Sequence, residues 1–258
     1  DVLNALKAAQ EVAPEKPANS WQPPLVGRTA EQRQLDDLIA GLTDHRSALL
    51  FLTGEDGIGK SRLLRIGEAR AKSLGITIHR LRFAPNRPLF SQILPWARRL
   101  NDALGVDAPP SLQLALQTFN ASNQRGGDSR YALFDGLGAA LHEQMLSAPV
   151  LLLIDDLHHA ARRELDMVRT LVRTLIPSVD GRLLIVATLR PHANPDTDAM
   201  VDGRGIDVDV TEMPLRPLKQ DEVLAVVSSL VGDGLSADSL AKRLFNQTDG
   251  SPYFVTEF

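Results

Sequence analysis

The stretch from Gly54 to Ser61 reads GEDGIGKS and fits the pattern Gly-x4-Gly-Lys-Ser. Glycines let the backbone approach a phosphate closely, so that successive N–H groups at a helix N-terminus form an anion cradle. Lys60 is expected to reach the β- and γ-phosphates of a nucleoside triphosphate, and Ser61 to ligate Mg2+. The nucleotide-binding residues predicted in this stretch are Gly54, Gly57, Ile58, Gly59, Lys60, Ser61 and Arg62. The alternative is an ordinary glycine turn between a strand and a helix.

Two carboxylates follow a second apolar run, in which Val150 to Ile154 lead into Asp155 and Asp156. A buried parallel strand delivers such side chains to the carboxyl edge of its sheet, where ligands bind. Asp155 is expected in the Mg2+ shell, through water, and Asp156 is expected to orient or deprotonate the attacking water. A surface turn after a core strand is the alternative.

A third apolar run, from Leu183 to Leu189, ends in the cation Arg190. An arginine at this edge can reach a γ-phosphate and report its presence. A solvated arginine at the end of a strand is an equal alternative from the residues alone. The predicted catalytic residues are therefore Lys60, Asp156 and Arg190, whereas Glu55 and Asp56 are expected to point into solvent because their charges repel phosphate.

The composition bounds the classes of protein that are possible. The chain has 258 residues, 43% of them hydrophobic and 23% charged, which suits one large α/β domain with a smaller one. A net charge of -4 argues against broad attraction to nucleic acid or to membranes. No cysteine is present, so disulfides and thiolate metal sites are excluded and a cytoplasmic location is expected.

Five apolar strands interleaved with helices predict a three-layer α/β/α fold with a parallel sheet. The predicted strands include an alternating fifth strand from Asp207 to Glu212, and a polar, mobile loop is expected from Ala108 to Arg130. His79 on the second strand is expected to be a structural histidine. Three segments are predicted: a linker with a short helix (1–24), a P-loop ATPase domain (25–215) and a helical lid (216–258). The apolar end of the chain suggests a piece of a longer protein.

Four motifs together resemble a known family. Leu25 to Glu31 reads LVGRTAE, and Leu153 to His158 reads LIDDLH. Thr188 to Arg190 reads TLR, and Gly250 to Phe254 reads GSPYF. In this order they resemble the STAND ATPases, which are relatives of the AAA+ proteins. The resemblance implies a sheet of order 5-1-4-3-2, with one strand inserted between the two that carry the phosphate loop and the paired carboxylates.

The resemblance also implies a mechanism. Such proteins act as switches, in which ADP holds a closed monomer and exchange for ATP, with an inducer, opens it into an oligomer that signals through attached domains. Val26, Gly27 and Arg28 would lie near the adenine and ribose, and Pro252 would close over the nucleotide from the lid. Arg190 becomes the γ-phosphate sensor. The implied partners are a nucleotide, further copies of the chain and other domains of the same protein.

Two other classes remain open from the sequence. One is an AAA+ motor or loader that acts on nucleic acid, and the other is a nucleotide-binding scaffold that no longer hydrolyses. A GTPase would carry Asn-Lys-x-Asp after a strand, whereas Asn246 to Asp249 reads NQTD, lacks the lysine and falls in the predicted helical lid. Guanine specificity is therefore not expected.

Overall fold

A five-stranded parallel sheet lies at the centre of the chain. The computed structural model describes residues 26–85, 90–121, 127–178, 182–232 and 234–257. The strands are β1 (Ala48–Thr53), β2 (Thr77–Arg82), β3 (Val150–Asp155), β4 (Leu183–Leu189) and β5 (Val210–Pro214). They are arranged β2-β3-β4-β1-β5 with every pairing parallel. This is the predicted order 5-1-4-3-2 read from the other edge, with β4 inserted between β1 and β3.

Helices connect the strands and cover the sheet. They are α1 (Thr29–Gly41), α2 (Lys60–Ser73), α3 (Phe90–Leu104), α4 (Pro110–Ala121), α5 (Gly127–Ser147), α6 (Arg162–Leu175), α7 (Pro195–Val201), α8 (Gln220–Val231), α9 (Leu235–Thr248) and α10 (Pro252–Glu257). None of the helices that the structure describes has the length and apolar character needed to cross a membrane.

The continuous apolar runs of the strands are explained by burial on both faces of the sheet. Successive side chains of a strand point to opposite faces. Leu49 and Phe51 of β1 accordingly join a core with α3 to α6, while Leu50 and Leu52 join a second core with α1 and α2. Because both faces are covered, the central strands β1, β3 and β4 show no polar alternation, whereas the edge strands β2 and β5 carry exposed polar residues. The three predicted layers are present.

The last three helices have a small core of their own. Leu218, Val223, Val227, Ala241 and Val255 are buried in this cluster, which is separate from the two sheet cores. The backbone turns sharply at Gly250, which has φ +73°, and its carbonyl accepts from Leu218 N at 2.8 Å. A Cβ added to Gly250 would lie 2.0 Å from Leu218 O, so only glycine fits there.

Two predicted element boundaries are wrong. The expected loop from Ala108 to Arg130 contains α4 and the first turn of α5, because Leu112, Ala115, Leu116 and Phe119 recur at helical spacing and are buried. The fifth strand begins at Val210 rather than Asp207, since its pairing with β1 starts where Leu49 faces Val210. The predicted linker and short helix of 1–24 lie outside the described residues.

Candidate functional site

The glycine-rich loop lies between the carboxyl end of β1 and the start of α2. Gly57 has φ +77° and Gly59 has φ +103°, conformations that glycine adopts without strain. Gly59 is the N-cap of α2, so the N–H groups of the loop and of the first helical turn lie at the positive end of the helix dipole. Arg62 is in this first turn. The loop can therefore bind an anion through its backbone.

Lys60 reaches back across this loop. Its Nζ donates to Gly54 O at 2.7 Å and to Glu55 O at 2.9 Å, and lies 3.9 Å from Asp56 Oδ1. Burial lowers the pKa of the ammonium, whereas the nearby carboxylates, Asp56 first, act in the opposite direction. The Lys60 amino group thus lies at the centre of the loop, where it could contact a phosphate chain.

Ser61 and Asp155 come together across the sheet edge. Ser61 Oγ donates to Asp155 Oδ1 at 3.3 Å, and Thr188 Oγ1 donates to the same oxygen at 2.6 Å. The Asp155 carboxylate is buried, so its orientation is fixed by these two hydroxyls. A hydroxyl and a carboxylate oxygen side by side are the hard ligands that Mg2+ takes in proteins.

Asp156 follows at the end of β3 with its backbone in the left-handed region, at φ 58°. Its N–H donates to Thr188 Oγ1 at 2.8 Å, and its carboxylate lies 3.4 Å from Arg82 Nε. Burial and, next, the charge of Asp155 raise the pKa of Asp156, while Arg82 lowers it. A half-buried carboxyl with a raised pKa is suited to accept a proton from water.

Arg190 lies beside the glycine-rich loop. Its Nη1 donates to Asp56 Oδ2 at 3.1 Å, and its N–H donates to His158 Nδ1 at 3.3 Å. Burial lowers the pKa of His158 to about 4, which keeps the imidazole neutral and able to accept this bond. The expectation that Asp56 points into solvent is wrong in part, because Arg190 and Lys60 attract its half-exposed carboxylate. Glu55 is exposed, as expected.

The Arg28 side chain joins the N-terminal motif to the loop. Its guanidinium is 5% exposed and donates to Glu31 Oε1 at 3.2 Å, to Ile58 O at 3.4 Å and to Arg216 O. Val26 packs against the core of the C-terminal helices, and a Cβ on Gly27 would meet the Glu222 side chain at 2.5 Å. The predicted adenine-side residues thus lie between the glycine-rich loop and the C-terminal helices.

The C-terminal helices contact the loop directly. Tyr253 N donates to Gly57 O at 3.1 Å, and a Cβ added to Gly57 would lie 2.7 Å from Tyr253 Cβ. Pro252 is the first residue of α10 and therefore lies next to this contact. Position and backbone hydrogen bonding link α10 to the phosphate-binding loop.

The residues present fit a nucleoside triphosphate with Mg2+. The backbone cradle, Lys60 and the Ser61–Asp155 pair supply anion donors and two oxygen ligands in one place. Within the described residues, no three His, Cys, Asp or Glu side chains form a group that could hold a metal alone. Mg2+ usually keeps several waters and is bound by one or two protein oxygens together with the phosphates of its substrate.

Three contributors had no assigned role at the sequence level. Thr188 was noted only as part of the TLR motif, although its hydroxyl connects Asp155 to the Asp156 backbone. Tyr253 likewise occurs only within the GSPYF motif, and Arg82 lies in no motif. All three act through contacts between residues far apart in the chain, and a single sequence does not reveal such pairings.

The parallel sheet of this strand order, with a glycine-rich loop after β1 and paired carboxylates after β3, defines a P-loop nucleotidase fold of the AAA+ type. The AAA ATPase domain family matches residues 24–186. The chain belongs to this family. No curated protein is significantly similar to it in sequence.

Solved structures of similar fold include two proteins named ORC and one named Cdc6p. The Aeropyrum pernix ORC2 protein, solved as ADPNP-ADP complexes, is 16% identical with a TM-score of 0.56, over 92% of this chain and 62% of that one. Cdc6p from Pyrobaculum aerophilum is 16% identical with a TM-score of 0.58, over 92% of this chain and 62% of that one. The Aeropyrum pernix ORC1 protein, solved in complex with DNA, is 16% identical with a TM-score of 0.54, over 91% of this chain and 59% of that one. The chain spans about three fifths of the length of these proteins, and at such identities the likeness concerns the fold.

Proposed function

We propose that this chain is a nucleotide-gated switch that binds ATP with Mg2+, hydrolyses it slowly and transmits the state of the nucleotide through its C-terminal helices. The observation that carries the proposal is the contact between those helices and the phosphate-binding loop, where Tyr253 N donates to Gly57 O at 3.1 Å. A nucleotide that shifts the loop would alter this contact. Its differential affinity for the two arrangements would then bias the position of the helices.

The residues have distinct parts in this proposal. The loop N–H groups and Lys60 bind the phosphates, while Ser61 and Asp155 hold Mg2+, the latter through water. When bound, Mg2+ would neutralise charge that develops on the phosphates. Asp156 orients and deprotonates the attacking water, and Arg190 binds the γ-phosphate. Val26, Gly27 and Arg28 border the base and ribose, and Pro252 closes the site from residues 216–258, which act as a lid on an ATPase domain of residues 25–215.

We further propose that the switch is of the STAND type. The LVGR, LIDDLH, TLR and GSPYF motifs support it, together with the lid contact. In this role the ADP form is a closed monomer, and the ATP form opens and self-associates. The chain would serve as the switch of a longer signalling or transcription regulator, with its effector in other domains of the same protein.

Two variants separate binding from turnover. Lys60→Ala should abolish ATP and ADP binding in calorimetry, because it removes the buried charge that faces the phosphates. Lys72→Ala, at the exposed far end of the same helix, is the matched control and should bind normally. Asp156→Asn should retain ATP binding and lose turnover by about 100-fold or more. Undiminished ATP affinity in Lys60→Ala would refute the assignment of the loop.

The switch itself is tested by sedimentation. Asp156→Asn should sediment as a monomer with ADP and as a larger species with ATP, since the trapped triphosphate keeps the lid displaced. Rapid, partner-independent hydrolysis by the wild-type chain, or identical sedimentation with both nucleotides, would count against a switch.

A DNA-acting ATPase is the second candidate. Its support is the likeness in fold to the ORC1 protein solved with DNA, while the net charge of -4 opposes it. Duplex DNA added to the chain should accelerate ATP hydrolysis if this candidate is correct. Unchanged turnover, measured by phosphate release at low salt, would favour the switch.

A further inference from the structure

The Asp56 side chain places a negative charge within the phosphate-binding loop. Its two oxygens face the two cations that a γ-phosphate would use: Oδ2 accepts from Arg190 Nη1 at 3.1 Å, and Oδ1 lies 3.9 Å from Lys60 Nζ. The carboxylate therefore lies between groups contributed by the end of β4 and by the first turn of α2. These contacts join residues that are 134 positions apart in the case of Arg190.

We propose that Asp56 competes with the γ-phosphate for Arg190 and thereby favours ADP over ATP. This inference rests on the proposed function, in which Arg190 binds the γ-phosphate. Asp56 is then a specificity-determining residue for the phosphate-chain length of the nucleotide, and the Asp56–Arg190 pair is a property of the ADP-bound arrangement.

ADP and ATP differ in whether their phosphates can share the site with the Asp56–Arg190 ion pair. ADP ends at its β-phosphate, so the Asp56–Arg190 pair can persist beside it. ATP adds a further anionic group near Arg190, which would repel the Asp56 carboxylate and replace it as the partner of the guanidinium. Binding of ATP therefore requires the ion pair to break, and binding of ADP does not.

The size of the effect follows from the exposure of the pair. The Arg190 and Asp56 side chains are 42% and 54% exposed, so solvent screens their attraction. An ion pair of this kind corresponds to about a 2- to 5-fold change in an equilibrium constant. The pair can thus shift the balance between ATP and ADP without preventing either from binding.

The Asp56–Arg190 pair would also act in the hydrolytic cycle. After hydrolysis and release of phosphate, Arg190 loses its anionic partner while Asp56 remains adjacent. Re-formation of the pair would stabilise the ADP-bound form and oppose the next exchange. Asp56 would therefore make the switch return to its ADP state more fully.

The test compares nucleotide preference in matched variants of the 258-residue chain. Asp56→Asn should increase the affinity for a non-hydrolysable ATP analogue relative to that for ADP by about 2- to 5-fold, as measured by calorimetry with Mg2+. Glu55→Gln removes the same formal charge from the exposed neighbouring position and should change this ratio less. An unchanged or lower ratio in Asp56→Asn, or an equal rise in Glu55→Gln, would overturn the inference.

Variants of Arg190 separate this inference from the proposed function. Arg190→Gln alone should reduce the preference for the ATP analogue, and no reduction would reject Arg190 as the γ-phosphate sensor. In the Arg190→Gln background, Asp56→Asn should raise the ratio less than in the wild-type background, because only direct repulsion between the carboxylate and the γ-phosphate remains to be removed. If it kept its full effect there, competition for Arg190 would be rejected while the sensor role stood. Asp56→Ser provides a second variant in case Asp56→Asn folds poorly.

Discussion

Arg28 combines a predicted binding role with packing contacts that the structure shows. The sequence motif predicts it near the adenine and ribose, and the structure directs its guanidinium to the Ile58 and Arg216 carbonyls and to Glu31. Those carbonyls belong to the phosphate-binding loop and to the segment that leads from β5 to α8. Arg28 therefore ties three parts of the site together, and its planar fork allows several such bonds at once.

Arg28→Ala should lower the free energy of unfolding by about 1 to 3 kcal/mol, because two carbonyls in a buried site lose their donor. Chemical denaturation measures this change. Arg33→Ala, at an exposed position of α1, which begins directly after Arg28, is the control. Its free energy of unfolding should stay within about 0.5 kcal/mol of wild type. Unchanged stability combined with weaker ADP binding would instead assign Arg28 to the nucleotide alone.

How far the site can be predicted from the sequence depends on how local its parts are. The glycine-rich loop and the Asp155–Asp156 pair are contiguous, so their residue types specify their chemistry directly. Thr188 and the Asp56–Arg190 pair depend on the strand order, which brings β4 between β1 and β3. The sequence places each of these residues at a strand end or in a turn, but it does not specify which of them meet.

At the scale of elements, apolar runs predict strands well because both faces of this sheet are buried. The strand predicted from the apolar run at Leu183 begins at that residue in the structure. The loop predicted from Ala108 to Arg130 is wrong because its polar residues suggest a loop, whereas its buried residues recur at helical spacing. Tertiary burial of one face decides in favour of helix there.

The contact between α10 and the phosphate-binding loop makes a prediction at this scale. Gly57→Ala would add a Cβ 2.7 Å from Tyr253 Cβ, and the Tyr253 side chain is partly exposed, so α10 has solvent rather than protein on its outer side. The variant should displace α10 from the loop. Hydrogen exchange should therefore detect lower amide protection in residues 252–257, with the rest of the fold largely unaffected.

Gly203→Ala is the matched control for that variant. Gly203 has φ +75°, close to the +77° of Gly57, but a Cβ there meets nothing within 4 Å. Both variants carry similar backbone strain, about 1 kcal/mol or more, so the difference between them reports the collision with α10. Equal amide protection of α10 in the two variants would argue that α10 does not pack closely against Gly57.

At the scale of the whole molecule, the sheet gathers the site at one edge while the opposite helical layer stabilises it. His79 of β2 links the sheet to two helices of that layer. Trp96 Nε1 of α3 donates to His79 Nδ1 at 2.9 Å, so His79 Nε2 carries the proton that it donates to Gln144 Oε1 of α5 at 2.6 Å. This satisfied pairing matches the predicted structural role of His79, and it uses the neutral imidazole.

His79 should therefore make the fold sensitive to acid. Burial lowers the pKa of His79 despite the bond to Gln144, and Arg99 lowers it further. The unfolded chain, with an ordinary histidine pKa near 6.5, binds a proton that the folded chain does not bind until a lower pH. The free energy of unfolding should consequently fall as the pH decreases below about 6.5, by up to about 1.4 kcal/mol per pH unit for this residue.

Denaturation at several pH values can isolate this contribution. His158, whose pKa is about 4, acts in the same direction, so the wild-type slope contains both residues. His79→Asn keeps an acceptor for Trp96 but cannot titrate, and it should be less stable at neutral pH with a shallower slope between about pH 6.5 and 5. The exposed His142→Asn is the control. An unaltered slope in His79→Asn would mean that the pKa of His79 does not differ between the folded and unfolded chains, and would contradict the prediction.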